Sequence, residues 1–376
     1  MPWKECCEVE LRREAVELAS QPEANLSQVA LRFGVSRRTL YKWIARWEAE
    51  GEAGLQNRSR RPRSSPWQTI ESVEQRVIEL RLKHPSWGGR KIARVLRNRG
   101  WKRVPSPSTV TGILHRHGLI DPESSKKSKS WTRFERSEPN DLQQMDFKGH
   151  FALENGQRCH PLTILDDHSR YSLAVQALPN ERESSVKHKL VNVFETYGLP
   201  RQMLTDNGSP WGDDWETRHT KLTVWLMEHG VEVIHGRPLH PQTQGKLERF
   251  HRTLKADVIT GRSYRSLLEC QRAFDAWRAT YNHERPHEAL GLDVPAQHYQ
   301  LSRRTFQAKV PAWEYAPGVE VRRVDGGGRL SYLGISWKIG RPFVGKTMGI
   351  QPTTEDGVFD VRFRHQWIAS LDMRDP

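Results

Sequence analysis

QQMDFKGHFAL, residues 143–153, and HPLTILDDHSRYSLAVQAL, residues 160–178, decide the fold. Their β-branched and aromatic content, local alternation and Asp-His-Ser turn predict three strands joined by tight turns. SSVKHKLVNVFETYGLP then reads as a helix ended by Gly198 and Pro200, and RQMLTDNGSP as a short buried strand running into a turn. RHTKLTVWLMEHG is a second helix closed by Gly230, VEVIHGRP another strand, and QGKLERFHRTLKADVI a helix with basic residues along one face. Three antiparallel strands followed by strands alternating with helices predict a mixed α/β sheet over residues 138–300.

Working outward, the front third changes character. Residues 1–55 contain LSQVALRFGVSRRTLYKWIARWEAEG. Ser27 is placed to cap a short helix, Gly34 to break it, and Ser36 to cap a longer one running to about Glu50. That is helix-turn-helix spacing, in which the second helix enters the major groove. Its early residues, Arg37, Arg38, Thr39 and Lys42, then face base edges, while Leu40, Ile44 and Trp47 form the buried side. The bland alternative is a helical hairpin with a solvated basic face. Residues 69–120 hold a second unit of the same kind, with Ser108 placed to cap its last helix. Between the two units lies a basic linker, residues 56–68. Its Arg60, Arg61 and Arg63 suit a minor groove, or serve only as a charged tether. Residues 121–137 form another Ser/Lys-rich linker. After Pro295 and a polar stretch, residues 305–376 are rich in Gly, aromatic and β-branched residues and predict a small all-β domain, a barrel or sandwich.

The net charge is +14. It is uneven: +13 over residues 1–137, −3 over 138–300 and +4 over 301–376. A basic front and a carboxylate-bearing middle favour a polyanionic partner, nucleic acid before membrane. No apolar run is long enough for a membrane span, and the N-terminus lacks the apolar stretch of a secretory signal, so a cytoplasmic, nucleoid-associated protein is expected. Cys6, Cys7, Cys159 and Cys270 have no metal-site spacing and read as reduced thiols.

Three acids stand out by context. Asp146 sits in the first strand beside Met145 and Phe147, where a carboxylate is costly unless paired, hydrogen-bonded or bound to metal. Asp206 ends the strand MLTD, and Glu248 lies one turn into the helix QGKLERFHRTLK. From the residues alone they are compatible with one metal site. Arg252 and Lys255 follow Glu248 along the same helix face and are candidates to hold phosphates, or simply a solvated basic face. Asp166 and Asp167 are a competing pair that turn chemistry explains. Asp213 and Asp214 fall in an apparent insertion. The histidines 235, 240, 251, 283 and 287 fit no zinc pattern.

QMDF, LTDNGSP, HPQTQGKLERFHRTLK and YNHERPHEALG, taken in order, resemble the integrase-type DDE transposases of bacterial insertion sequences, relatives of retroviral integrase. The resemblance covers residues 27 to about 300. It implies an RNase H-like catalytic core and places the catalytic, metal-binding roles on Asp146, Asp206 and Glu248. It also implies two Mg2+ ions, with Mn2+ able to substitute, and double-stranded DNA partners: transposon ends and target. Joining two ends implies a homo-oligomer, at least a dimer on DNA, with no membrane partner. Two other readings are a catalytically inactive DNA-binding derivative acting as a regulator and a nuclease of RNA hybrids. The intact acidic triad opposes the first, and tandem helix-turn-helix units oppose the second.

Overall fold

The computed structural model describes residues 7–59, 69–121, 135–212, 218–236 and 245–374. The chain divides into two compact units, Met1–Gln68 and Thr69–Pro376.

The first unit holds α1 (Glu8–Ala19), α2 (Leu26–Arg32) and α3 (Arg37–Glu50), closed by a 3₁₀ turn at Gly51–Leu55. The cap of α2 is Asn25, not Ser27: its side chain accepts from the Ser27 and Gln28 amides. Ser36 caps α3 through the Thr39 amide, as expected. Gly34 turns the chain between α2 and α3 at φ +66, a conformation that disfavours a side chain. Ala15, Ala30 and Leu40 form the small core, with Trp43 and Ile44 against it. Trp47, expected beside them, is half-buried and lies outside that cluster.

The second unit opens with α4 (Glu71–Lys83), α5 (Gly89–Asn98) and α6 (Pro107–Arg116). Ile92, Ala93, Val95 and Leu96 make one buried face of α5, and they meet Val77, Leu80, Trp87, Val110, Ile113 and Leu114. Gly89 is needed where α5 crosses α6: a Cβ there would lie 2.5 Å from the Pro107 carbonyl oxygen. The cap of α6 is Ser106, with Pro107 in the first helical position, rather than Ser108.

The central sheet comprises β1 (Leu142–Phe147), β2 (Phe151–Ala152), β3 (Arg158–Asp166), β4 (Ser172–Leu178), β5 (Gln202–Thr205) and β6 (Glu232–His235). Its main order is β4-β3-β1-β5-β6. The first three strands pair antiparallel, whereas β5 and β6 add in parallel. This is the RNase H-like arrangement expected for the core. Two helices, α7 (Glu183–Tyr197) and α8 (Lys221–Glu228), carry the chain between the later strands. Alternation along β3 sends Leu162 and Ile164 into the layer shared with α7 and α8. Cys159 and Leu165 enter the opposite layer, beneath α9 (Gly245–Leu254) and α10 (Leu267–His283). A helix on each face explains why the central strands are apolar on both sides.

The stretch after Pro295, read as polar linker, is anchored. Arg304 donates to the carbonyls of Pro200 and Gly230, and its own carbonyl accepts from the Leu199 amide. Local composition cannot reveal this, because the partner carbonyls lie far away in sequence.

The last domain holds β7 (Glu320–Arg323), β8 (Arg329–Tyr332), β9 (Ile335–Lys338), β10 (Thr347–Pro352), β11 (Val358–Phe363) and β12 (Gln366–Asp372). It is all-β but does not close into a barrel. Four strands form an open antiparallel sheet, β12-β11-β10-β7, and β8 pairs only with β9. The Asp-Gly-Gly-Gly turn leads the chain out of the sheet after β7, so the β8–β9 hairpin lies apart and packs by side chains, Tyr332 against Phe359. Among the described residues, no helix is long and apolar enough to cross a membrane.

Phe250 of α9 sits under the sheet, edge-on to Trp277 and Tyr281 of α10. Phe250→Ala is expected to weaken the core by about 3–5 kcal/mol, read as a lower urea midpoint in tryptophan fluorescence. The same change at Leu31, which is exposed, should leave that midpoint in place.

Candidate active site

Asp146 and Asp206 are brought together by strand register. On parallel β1 and β5, Gln144 stands beside Leu204. Two residues further along, the same register sets Asp146 beside Asp206, the first residue beyond β5. Neighbouring strands are about 4.8 Å apart. Both acids are half-buried, and neither is ion-paired among the described residues. Burial, with the neighbouring Asp206 charge second, pushes the Asp146 carboxyl up to about 7. Burial also raises Asp206. Each acid keeps one local hydrogen bond: the Phe147 amide donates to Asp146 at 2.7 Å and the Gly208 amide to Asp206 at 3.2 Å.

The surrounding loops are fixed. Asn207 donates to the Gly236 carbonyl at 2.9 Å and ties the end of β5 to that of β6. Trp211, fully buried, stacks on Phe147 beside Asp146. His235 sits 3.1 Å from the Asp206 carbonyl oxygen, and burial lowers its pKa, so it is neutral at pH 7.

Glu248 lies on α9 and is exposed. One turn later, His251 Nε2 is 2.7 Å from Thr163 Oγ1, and that hydroxyl donates to the Asp146 carbonyl at 3.0 Å. The hydroxyl proton is thus committed, so the imidazole is the donor, in its Nε2–H form. Burial lowers this imidazole to about 3, which keeps it neutral. The turn of α9 that carries Glu248 is therefore hung on β1 at Asp146. Its start is held too. Lys246 Nζ is 2.6 Å from Asp167, which is fully buried and also accepts from Gln144 of β1 and the Arg136 amide.

Among the described residues, no three acids, imidazoles or thiols converge closely enough to hold a metal ion. The structure thus brings Asp146 and Asp206 together, with Glu248 on a helix tied to the same strand. Arg252 is exposed on that helix, and exposed Lys255 opens a π turn, Lys255–Ile259, that interrupts the regular step between them.

Turn chemistry accounts for Asp166, which accepts from Ser169. Asp167 does more, as the anchor of Lys246. The residue sequence reasoning missed is Glu181, whose charge acts on both Asp146 and Asp206 and which lies 2.8 Å from His160. Its loop position in LPNERES carries no local signal. The histidines do not gather: His251 and His235 serve as above, His287 lies against Arg285, His283 is exposed, and His240 lies outside the described residues. Arg37, Arg38 and Lys42 are exposed on α3, while Thr39 is taken up in the Ser36 cap. Arg60, Arg61, Arg63, Asp213 and Asp214 lie outside the described residues.

Two integrase core domain families match, over residues 136–241 and 229–295. A helix-turn-helix domain matches residues 11–63, and a homeodomain-like domain 39–114. The C-terminal domain of the IS481 family transposases matches residues 319–376. The insertion element IS476 uncharacterized 39.2 kDa protein of Xanthomonas euvesicatoria is 25% identical, over 82% of this chain and 93% of its own length. The IS407 uncharacterized 31.7 kDa protein of Burkholderia multivorans is 23% identical, over 63% of this chain and 84% of its own. The chain belongs to the integrase-type transposases of bacterial insertion sequences. A chain of the simian T-cell lymphotropic virus intasome is 14% identical to this transposase, with a TM-score of 0.40, covering 78% of this chain and 95% of that one.

The paired acids carry a thermodynamic cost in the metal-free transposase. Between its ordinary value of 3.8 and about 7, the folded Asp146 holds a proton that the unfolded chain releases. Stability without divalent cations should therefore fall as pH rises through that window and level off above it. Asp146→Asn removes the charge and is expected to stabilise the metal-free protein by about 1–3 kcal/mol at pH 8. Thermal unfolding in a chelator checks this, and an unchanged midpoint would contradict it.

Proposed function

We propose that this transposase cuts and joins DNA strands at the ends of its element by a two-metal-ion mechanism, with Asp146, Asp206 and Glu248 as ligands. The observation that carries the reading is the Asp146–Asp206 pair. Two acids on adjacent strand ends, partly withdrawn from water and without an ion-pair partner among the described residues, form a site that a divalent cation would neutralise. Their hard oxygens suit Mg2+, with Mn2+ as a substitute. When bound, two such ions would lower the pKa of an attacking hydroxyl and neutralise charge on the leaving oxygen.

The chain's own part is placement. Asp146 and Asp206 lie on the sheet and Glu248 on a helix fixed by Lys246 and His251, so a phosphodiester lying along the strand ends meets carboxylates from both sides. Water attacks phosphorus, the P–O3′ bond breaks, and a 3′-hydroxyl is freed at the element end. That hydroxyl then attacks a phosphodiester of the target, releasing a 3′-hydroxyl there. Arg252 and Lys255, both exposed, hold neighbouring phosphates. Arg37, Arg38 and Lys42 on α3 read the end sequence in the major groove, with Thr39 behind them in the cap, and the linker arginines Arg60, Arg61 and Arg63 follow the backbone. Joining two ends requires at least two copies of the chain.

On a labelled duplex bearing the element's end, cleavage should need Mg2+ or Mn2+, and Asp206→Asn should reduce it by at least about a thousandfold while end binding persists. Specific binding with no cleavage under either metal would leave a DNA-binding regulator. Arg38→Ala should weaken end binding by about 1–3 kcal/mol and relax sequence preference, whereas Arg252→Ala should lower cleavage with little loss of preference.

A further inference from the structure

The second helix-turn-helix is built into the same compact unit as the active site, and its attachment is specific. Asp257 lies in the π turn that follows α9 and is only 5% exposed. A π turn is rare and local, and here it sets a carboxylate between two domains. Its oxygens accept three hydrogen bonds: from the Ser86 amide at 3.0 Å, the Ser86 hydroxyl at 3.0 Å and Trp277 Nε1 at 3.1 Å. Trp277 belongs to α10 of the core, whereas Ser86 belongs to the loop HPSWGG between α4 and α5. That loop is stiff. Trp87 is fully buried, His84 stacks on it with ring centres 3.9 Å apart, and Arg81 donates to the Trp87 carbonyl.

Two ion pairs add fixed points along α5. Arg94 meets Asp293 at 3.0 Å, and Arg99, just past the helix, meets Glu284 at 2.7 Å. Glu284 lies within the motif YNHERPHEALG and Asp293 two residues past it, while other side chains of the motif are buried in the core: Asn282 bonds both backbone groups of Ser172, and Arg285 lies over the Tyr281 ring. The motif thus presents the core's docking edge to α5. Both ion pairs are partly exposed and individually weak. The buried carboxylate is the tie that is costly to break, since loss of its donors leaves a charge out of water.

The chain path gives this joint a consequence. Asp257 lies nine residues beyond Glu248 along one helix, roughly 14 Å. The helix that carries the third acid is thereby a strut reaching the domain that carries α6. On that domain Lys102, Arg103 and Ser108 are exposed around the start of α6. Whatever DNA α6 holds is presented to Asp146 and Asp206 at a fixed offset.

We propose that Asp257 is a positioning residue: by fastening the second helix-turn-helix to the catalytic core, it sets how many nucleotides separate the sequence held by α6 from the phosphate that is cut. This rests on the strand-cutting function proposed above. It requires that the cut be measured from the internal sequence bound by α6 and not from the terminal bases.

The test uses the full chain on a labelled duplex carrying the element's end, with cut positions resolved to the nucleotide. When one or two base pairs are inserted between the internal sequence and the terminus, the cut should stay at its distance from the internal sequence. Asp257→Asn should spread the cut over about three neighbouring phosphates, with end affinity within about twofold of wild type, and Ser86→Ala should do so more mildly, since it removes one hydrogen bond. A sharp wild-type cut in both variants, or a wild-type cut that follows the terminus, would overturn the proposal. A distance measurement without DNA separates this from the function itself. Spin labels at Ser108→Cys and Asn192→Cys, in a Cys6→Ser, Cys7→Ser background, should give one narrow distance that broadens with Asp257→Asn. A narrow distance that Asp257→Asn leaves narrow removes Asp257 from the role. A narrow distance that broadens as expected, with no cleavage by the wild type, sinks the strand-cutting function and the cut-site role with it, leaving only the joint.

Discussion

Two carboxylates that repel each other are held at the ends of neighbouring strands, and much of the core can be read as what that requires. Like charges in a medium less polar than water separate or, where the backbone forbids that, take up protons. The register of β1 against β5 forbids separation, because the acids cannot part without breaking a parallel ladder buried between two helical layers. Around them the polar contacts go to backbone more than to the carboxylates. Asn207, His235 and Thr163 each bond a carbonyl, which fixes the strand ends and leaves the acid oxygens largely uncommitted. Such a site stores electrostatic strain; under the proposed function a cation would relieve it, so that metal affinity and metal-free instability would be two faces of one cause.

The third acid is handled differently. Glu248 is on the surface of a helix, so register cannot place it. Its helix is instead suspended at two points: Lys246 on buried Asp167, and His251 on Thr163. Asp167 reaches β1 through Gln144, and Thr163 reaches it through the Asp146 carbonyl. Both suspensions therefore end on the strand that bears Asp146, so a shift of the helix must be felt at that acid.

Strands, helices and the two most telling acids were legible because they depend on local pattern. Met145 and Phe147 flanking an acid, or TDNG closing an apolar run, are signals within a few residues. Helix caps were misplaced by two residues at α2 and α6. Asn25 competes with Ser27 as an acceptor, and Pro107 fixes the first helical position and moves the cap back to Ser106. The tail was rightly all-β but wrongly closed, since alternation tells which strands exist and not whether the first meets the last. What stayed hidden depends on distant partners. Asp167 looks like half of a turn until Lys246 arrives, 79 residues later. Asp257 looks like a surface acid on a basic helix until Ser86 appears, 171 residues away. Arg304 looks like linker until the carbonyls of Pro200 and Gly230 close around it.

The buried imidazoles have a further consequence, for tolerance of acid. Burial lowers His251 to about 3 and His84 and His219 to about 4, and holds His287 well below its ordinary value, beside Arg285. Each is neutral in the fold and takes up a proton once unfolded, so below about pH 6.5 the unfolded chain binds more protons and stability drains away as pH falls. Depressions of this size are worth at most roughly 3–5 kcal/mol per group, against the roughly 5–15 kcal/mol that hold a typical domain together. All four are buried, so their protonation would disrupt packing instead of merely charging a surface. Acid inactivation of this enzyme should thus begin in its histidines, well before its ordinary carboxylates titrate.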